Sequence, residues 1–272
     1  TSPAVCINPL DLKEYNAYFD MPYPLPKLDN IAAPGSSQFF GAMENWGAIF
    51  TFEHEMLLDP AISTEADRQR VFDVEAHEMA HQWFGDLVTM RWWDDLWLNE
   101  SFAEWVSTYV TARHTRWPDA WTSFCNVEKT WAYRQDQLAT THPIAADIPD
   151  IEAVLTNFDG ITYAKGASVL KLLSHWVGED AFFAATRAYF AEHAYSNTTL
   201  PDFLSALETA SGRDMSAWSK EWLQTSGVNT LRPSFETDDE GRFTSFAIEQ
   251  TAIAEHPTLR SHRLRIGRSA DG

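Results

Sequence analysis

Apolar residues recur at helical spacing along most of the middle of this 272-residue chain. Four of them, before residue 84, share one face of a predicted helix with a period of about 3.6 residues: Phe72, Ala76, Met79 and Trp83. Thr64 and Asp67 have the spacing of an N-terminal capping box, so we predict that this helix begins near residue 65. Further helices are predicted over about 99–114, from about 118, and near 159–177, 179–193, 200–211 and 214–225.

Strands are predicted towards both ends of the chain. Residues 30–33 are apolar and extended, and residues 46–52 alternate weakly and are rich in aromatic side chains. Residues 231–237 and 242–248 flank a turn at 238–241, which predicts a β-hairpin. Because the composition changes near residue 228, we predict one α+β domain over residues 1–228 and the incomplete start of a β-rich domain over residues 229–272.

Composition narrows the class of protein. With 44% hydrophobic residues, 12 Trp and 17 Phe, the chain can form a large packed core. Its net charge of −19 disfavours nucleic acid as a partner, because the phosphates would be repelled. No apolar stretch reaches about eighteen residues, so we predict no membrane span in this segment. Cys6 and Cys125 indicate no disulfide framework; we expect two buried thiols and a cytoplasmic location.

The sequence His-Glu-Met-Ala-His at residues 77–81 is the strongest candidate for chemistry. His77 and His81 stand one helical turn apart, so both imidazole rings can reach one metal ion. They lie about 150° from the apolar face, which leaves them free to line a cleft. Glu78 can face the same cleft without acting as a ligand, beside a water molecule on the metal. This arrangement is typical of zinc hydrolases.

A catalytic zinc ion needs a third protein ligand, which must come from elsewhere in the chain. Glu100 follows His81 after 18 intervening residues, near the start of the helix predicted from residue 99. A turn and a second helix could bring Glu100 against the two histidines. The residues alone leave three other carboxylates as alternatives: Asp94, Asp95 and Glu104.

Four motifs together resemble the gluzincin metallopeptidases of the aminopeptidase N family. The HExxH sequence is followed at the right distance by Trp-Leu-Asn-Glu at residues 97–100. Residues 41–47, Gly-Ala-Met-Glu-Asn-Trp-Gly, resemble the exopeptidase signature of the family. Residues 23–29 and 163–170 are also similar to family segments and stand in the same order. The sequence of residues 222–230 resembles the end of the family's catalytic domain, so the resemblance covers nearly the whole chain.

The resemblance implies a fold and a place in a longer protein. It implies a thermolysin-like catalytic domain with a small β-containing N-terminal lobe and a larger α-helical lobe, followed by the truncated start of a β-sandwich. Family members are larger, so we expect the remaining domains of the parent chain as partners. An upstream domain of the family adds a contact to the substrate amine, and we expect the isolated segment to bind substrate weakly.

The resemblance also implies a set of catalytic residues. His77, His81 and Glu100 would bind one Zn²⁺ ion per chain and leave a fourth position for water. Glu78 would act as the general base in the hydrolysis of the peptide bond. Tyr163 resembles the family tyrosine whose hydroxyl group stabilises the oxyanion, although the residues alone also allow a place in the core.

A third implication concerns the substrate, a peptide with a free N-terminal amine. Glu44 would pair with the α-ammonium group, so that only the first peptide bond lies over the zinc ion. Gly41, Ala42, Met43 and Asn45 would complete the substrate-binding segment, with glycine permitting a close approach of the peptide backbone. Met43 is a candidate for contact with the first side chain, and ordinary packing is its alternative.

Two positions depart from the family pattern. Ser101 stands where the family commonly has glycine, and we expect little effect because serine is small. Asp86 stands where the family often has asparagine, and its extra charge could influence the zinc site. Asp86 and Glu104 are candidates for orienting the zinc-binding histidines. Lys165 points away from Tyr163 around its helix and is expected to be structural.

Two other functions remain open from the sequence. The first is a thermolysin-like endopeptidase, which Glu44 disfavours because its carboxylate would occupy the subsite that must accept an internal chain. The second is a non-catalytic scaffold that binds peptides. Such a protein should have lost a ligand or the base, and this chain retains all of them.

Overall fold

The computed structural model describes residues 9–37 and 40–267 of the chain; Cys6 lies outside them. Within these residues the helices, numbered in chain order, are α1 (Pro9–Phe19), α2 (Glu53–Met56), α3 (Glu65–His81), α4 (Leu96–His114), α5 (Ala120–Asn126), α6 (Glu128–Gln135), α7 (Ile151–Thr156), α8 (Gly166–Val177), α9 (Glu179–His193), α10 (Leu200–Ser211) and α11 (Ser216–Trp222). The strands are β1 (Asp29–Ala33), β2 (Ala42–Met43), β3 (Ala48–Phe52), β4 (Val88–Met90), β5 (Ser196–Thr198), β6 (Asn229–Thr237) and β7 (Phe243–Ala252). This mixture of helices and small sheets confirms the α+β class.

Helix α3 begins where its capping residues predict. The Thr64 hydroxyl group accepts a hydrogen bond from the Asp67 backbone N–H at 3.2 Å, and the Asp67 carboxylate accepts one from the Thr64 N–H at 2.7 Å. Because two otherwise unpaired N–H groups are satisfied in this way, the helix has a defined start. The four apolar residues that share one face of this segment are buried: Phe72, Ala76, Met79 and Trp83.

Helix α4 packs beside α3 and forms the centre of the core. It begins at Leu96, three residues before the predicted start at 99, directly after a 3₁₀ turn over Trp93–Asp95. Leu96, Trp97 and Leu98 are buried, and this packing extends the helix towards its N-terminus. As a result Glu100 lies in the second turn of α4. Phe84 and Phe102 stack in the core with ring centroids 3.6 Å apart.

Strand β3 is the centre of a three-stranded sheet with the order β1-β3-β2. β1 runs parallel to β3 and β2 runs antiparallel to it, so β2 is an outer strand of this sheet. The predicted strand over 46–52 begins only at Ala48, because Gly47 has a φ of 78° and forms a turn. The two other pairs within the described residues are β4 with β5, parallel, and β6 with β7, antiparallel.

The predicted hairpin near the C-terminal end is present as β6 and β7, and the segment after it packs on the helical part. Arg260 is 5% exposed and its guanidinium group donates to the carbonyl oxygens of Glu221 and Gly227 at 3.0 and 2.9 Å. Carbonyl groups at a helix end lack partners within the helix, and Arg260 supplies donors to them at the end of α11. The boundary near residue 228 remains a prediction.

Two sequence-based expectations have outcomes at this level. Cys125 is exposed, so the expectation of a buried thiol is wrong for this residue. The reason is the short helix α5, which buries only Ala120 and Phe124 and leaves its other face outward. Across the described part of the chain, no helix combines the length and apolar character needed to cross a membrane.

Candidate metal centre and substrate site

Three side-chain atoms converge on one point between α3 and α4. The Nε2 atoms of His77 and His81 are 3.1 Å apart, and Glu100 Oε2 lies 3.4 Å from the first and 3.3 Å from the second. Ligand atoms about 2.0–2.1 Å from a tetrahedral zinc ion are separated by about 3.3–3.4 Å. The spacing and the donor set, two imidazoles and one carboxylate, therefore fit a zinc ion. Among the described residues, His77, His81 and Glu100 form a group whose ligand atoms all lie within 4.8 Å of one another, close enough to hold one metal ion.

The other ring nitrogen of each histidine has a protein partner. His81 Nδ1 lies 2.8 Å from the Phe84 carbonyl oxygen, and His77 Nδ1 lies 3.3 Å from Glu104 Oε2. Because both partners are acceptors, they hold the Nδ1 proton of each ring and turn each Nε2 towards the common point, where it can bind a cation in place of its own proton. Glu104, one of the two candidates named from the sequence for orienting the histidines, is thus the partner of His77. A backbone carbonyl group, not Asp86, orients His81.

The electrostatic field at this point favours a positive charge. Burial alone would lower the pKa of both imidazoles, but the surrounding carboxylates outweigh burial, raising the pKa of His81 to about 9 and that of His77 well above its ordinary value. Burial opposes ionisation of Glu100, yet the two histidines hold its pKa below the usual range. The pocket is therefore built to stabilise a cation among these three groups.

Two of the three alternatives for the third ligand, Asp95 and Glu104, contact other groups. Asp95 caps α10, since its Oδ2 atom accepts a hydrogen bond from the Leu200 N–H at 2.8 Å. Glu104 contacts the opposite ring nitrogen of His77, as described above. The geometry therefore brings Glu100, the residue implied by the family resemblance, to the histidine pair.

Glu78 is buried on α3 between the two histidines in sequence. Burial raises the pKa of its carboxyl group to about 7, although the charges of His77 and His81 lower this pKa. The Glu44 and Glu100 carboxylates raise it further. Glu78 is therefore buried in the same pocket as His77, His81 and Glu100, although it is not part of the converging trio.

Tyr163 lies on a π-helical turn, not within the continuous helix predicted over 159–177. The turn spans Ile161–Lys165 and leads into α8 at Gly166. The Tyr163 ring stacks on His77 with a centroid separation of 6.0 Å and an interplanar angle of 20°. Burial, followed by the Glu100 and Glu78 charges, raises the pKa of Tyr163 well above its ordinary value, so its hydroxyl group keeps its proton.

Ser101 has a structural role that the sequence did not reveal. Its hydroxyl group is fully buried and donates to the Thr162 carbonyl oxygen at 2.6 Å. A π turn shifts the backbone hydrogen bonds, so a side-chain donor here satisfies a carbonyl group next to Tyr163. Gly166 permits the contact, because a Cβ atom at this position would lie 1.8 Å from Ser101 Oγ. The pair thereby connects the Glu100 turn of α4 to the Tyr163 turn.

The segment over residues 41–45 runs along the outer strand β2. Ala42 and Met43 pair with β3, and Met43 and Asn45 are exposed while Glu44 is half-buried. Among the charged groups around His81, the Glu44 carboxylate contributes most to raising the pKa of this imidazole. Gly41 allows close packing, since a Cβ atom there would meet the Glu55 side chain at 3.0 Å.

Two further polar residues lie around the site. Burial, with a contribution from Glu44, raises the pKa of Asp86 to about 7, so the departure at this position adds an acidic group near Glu44. Its Oδ2 atom is buried without a hydrogen-bond partner among the residues that the structure describes. Lys165 pairs with the buried Asp136 carboxylate at 2.8 Å and is structural, as expected.

An HExxH helix, a glutamate ligand from the next long helix and a carboxylate beside them define a candidate metallohydrolase centre. Residues 7–222 match the peptidase family M1 domain, and the chain therefore belongs to peptidase family M1.

Relatives within this family are similar over most of the chain. Aminopeptidase N of Streptomyces lividans is 53% identical over 92% of the chain, and the probable aminopeptidase 2 of Sulfurisphaera tokodaii is 45% identical over 79%. The leucyl aminopeptidase of Saccharolobus solfataricus is 41% identical over 81%. The chain spans 30%, 27% and 28% of these three relatives, so it corresponds to less than a third of each.

Proposed function

We propose that this chain is the catalytic domain of a zinc-dependent aminopeptidase, which hydrolyses the N-terminal peptide bond of peptides that have a free amine. The observation that supports it most directly is the convergence of His77, His81 and Glu100 at zinc-like spacing, with the Glu44 carboxylate beside them. Membership of peptidase family M1 and the aminopeptidase names of its relatives support the same proposal.

The residues of the site have separate tasks in this proposal. Zinc, when bound by the trio, supplies a Lewis acid that acidifies a water molecule and polarises the peptide carbonyl group. Glu78 accepts a proton as the water attacks and returns it to the nitrogen atom of the leaving amine. The Tyr163 hydroxyl group donates a hydrogen bond to the carbonyl oxygen as negative charge develops there.

Substrate binding is assigned to β2 and the residues that follow it. As an outer strand, β2 can accept a peptide in extended conformation alongside Gly41, Ala42 and Met43. The Glu44 carboxylate pairs with the α-ammonium group and fixes which bond reaches the metal centre. Asn45 is exposed next to Glu44 and completes the segment.

Metal analysis tests the zinc site. The full-length protein, purified without chelator, should contain one zinc ion per chain. His81→Ala should lower zinc affinity by more than about 100-fold, because it removes one of three ligands and the buried imidazole cannot be replaced by solvent. His175→Ala is the matched control, since His175 is exposed on α8 and should leave zinc content unchanged. Zinc-free wild-type protein that gains no metal on addition would instead favour the non-catalytic scaffold.

A pair of peptides tests the exopeptidase assignment. One peptide has a free N-terminal amine and its twin is N-acetylated. We expect kcat/KM for the free amine to exceed that for the twin by at least about 100-fold, and Glu44→Ala to remove most of this difference by unpairing the ammonium group. Glu53→Ala is the control, because Glu53 is an exposed carboxylate after β3. Equal cleavage of both peptides by the wild type would favour the endopeptidase.

The proposal extends to the architecture around the site. The small sheet before α3 and the helices after it support a thermolysin-like arrangement of a β-containing lobe and a larger helical lobe. The antiparallel β6–β7 pair supports the division into a catalytic domain over 1–228 and the start of a β-sandwich over 229–272. The length of the relatives supports further domains as partners in the parent chain. A cytoplasmic location remains part of this proposal.

A further inference from the structure

The Gln82 side chain links the metal-binding helix to the segment that contains Glu44. Its Nε2 atom donates a hydrogen bond to the Glu44 carbonyl oxygen at 2.9 Å, and its Oε1 atom accepts one from the Gly47 backbone N–H at 3.0 Å. Gln82 is 0% exposed, so no water competes for these bonds. One amide group therefore clamps both sides of the turn over residues 44–47.

The helix end of this link is fixed to the metal centre. Gln82 follows His81 directly, and its backbone N–H donates to the Met79 carbonyl oxygen at 3.2 Å in the last turn of α3. The Gln82 backbone therefore cannot shift without moving His81. The proposed zinc ligand and the clamp are therefore adjacent residues at the end of one helix.

The loop end of the link is also rigid. The Ala48 N–H donates to the Asn45 carbonyl oxygen at 2.8 Å, and the Asp29 N–H donates to the Gly47 carbonyl oxygen at 3.0 Å. Gly47 has a φ of 78°, and a Cβ atom there would lie 2.7 Å from Leu25 Cδ1. Backbone hydrogen bonds thus hold the turn to itself and to β1, and the Gln82 side chain ties it to α3.

We propose that Gln82 is a positioning residue, which sets the distance between the Glu44 carboxylate and the metal centre and so confines cleavage to the first peptide bond. This inference rests on the proposed aminopeptidase function. An exopeptidase needs that distance to match one residue of substrate, and a displacement of about 1 Å can reduce the rate by about 100-fold. Gln82 achieves this without touching the substrate.

The clamp requires a donor and an acceptor on one side chain of this length. Glutamate keeps the acceptor for the Gly47 N–H but lacks the donor to the Glu44 carbonyl group. Methionine has nearly the same length and neither function. Gln82→Met is therefore the main variant, and Gln82→Glu is the second variant, which decides the question if Gln82→Met does not fold.

Tyr15→Phe is a matched control. The Tyr15 hydroxyl group donates to the Ala76 carbonyl oxygen at 2.8 Å, so its loss also removes a buried side-chain hydrogen bond to the backbone of α3. This hydrogen bond ends on Ala76, outside the turn over 44–47 and apart from the proposed metal ligands. A general loosening of α3 would affect this variant and the Gln82 variants alike.

The experiment uses the zinc-loaded full-length protein and three measurements. Zinc content should stay at the wild-type value in all variants. The ratio of kcat/KM for the free-amine peptide to that for its N-acetylated twin should fall by about 10- to 100-fold in the Gln82 variants and stay unchanged in Tyr15→Phe. Hydrogen exchange at the Gly47 amide, measured without substrate, should become about tenfold faster only in the Gln82 variants, because this amide loses its acceptor or its fixed position.

The outcomes separate this inference from the function on which it rests. A wild type that cleaves both peptides alike overturns the aminopeptidase proposal and the role of Gln82 with it. A wild type that discriminates, together with a folded Gln82 variant that discriminates equally well, overturns the Gln82 inference alone. An equal loss of activity on both peptides also overturns it, because a merely structural residue would produce that result.

Discussion

Glu78→Gln should lower kcat on a free-amine peptide by about 100- to 10,000-fold while zinc content stays at the wild-type value. The amide has nearly the same shape as the carboxylate but cannot accept a proton from the attacking water. Glu78 is 7% exposed and lies in the same pocket as the metal ligands, so bulk water cannot replace it efficiently as the base. Steady-state kinetics on the full-length protein, together with metal analysis, measures both quantities.

Glu75→Gln provides a control for this substitution. Glu75 is also a buried carboxylate on α3, but its side chain accepts a hydrogen bond from Asn30 Nδ2 and does not belong to the metal site. We expect its kcat to stay within about threefold of the wild type, because this substitution leaves both the candidate ligands and Glu78 unchanged. A Glu78→Gln variant that retains full turnover with zinc bound would remove Glu78 from the mechanism.

Gly166→Ala should lower the free energy of unfolding by about 3 kcal/mol, because it inserts a methyl group into a fully packed contact. The new Cβ atom would lie 1.8 Å from Ser101 Oγ and 2.8 Å from Ser101 Cβ, and Ser101 is fully buried. At an open helix position the same change would stabilise by about 1 kcal/mol, so the sign of the effect reports the packing. Denaturant unfolding measures the free energy.

The double variant Ser101→Gly/Gly166→Ala tests the cause of this loss. Removing the Ser101 side chain vacates the space that the new methyl group needs, so the double variant should be more stable than Gly166→Ala alone. Because Gly166 directly follows the turn that contains Tyr163, kcat should fall in the single variant and partly recover in the double one. A Gly166→Ala protein that is as stable as the wild type would contradict the packing of α4 against this turn.

Local signals in the sequence predicted much of the helical structure. The capping box at Thr64 and Asp67 fixed the start of α3, and the apolar period identified its buried face. Helices α9 and α10 have the predicted bounds, 179–193 and 200–211. These features depend on residues within one or two helical turns of each other, which a sequence displays directly.

The sequence-based predictions of helix bounds are wrong where contacts with distant residues override the local preference for secondary structure. Helix α4 begins at Leu96 because three apolar residues there are buried by other elements. The segment over 161–165 forms a π turn in which Ser101, on a different helix, donates a hydrogen bond to the Thr162 carbonyl oxygen. Neither partner is close in sequence, so no period or cap could reveal them.

The candidate metal site shows the same contrast between local and distant determinants. The sequence by itself determined the HExxH pair, because His77 and His81 lie one turn apart on a single helix whose apolar face is already assigned. It left Glu100 open among four carboxylates, and only the packing of α4 against α3 decided which oxygen atom meets the two imidazoles. The sequence gives no signal for the role of Gln82, because its hydrogen-bond partners are 35 and 38 residues away and both are backbone groups. Spacing along a helix is a property of the chain, whereas distances between elements are set by the core that packs them together.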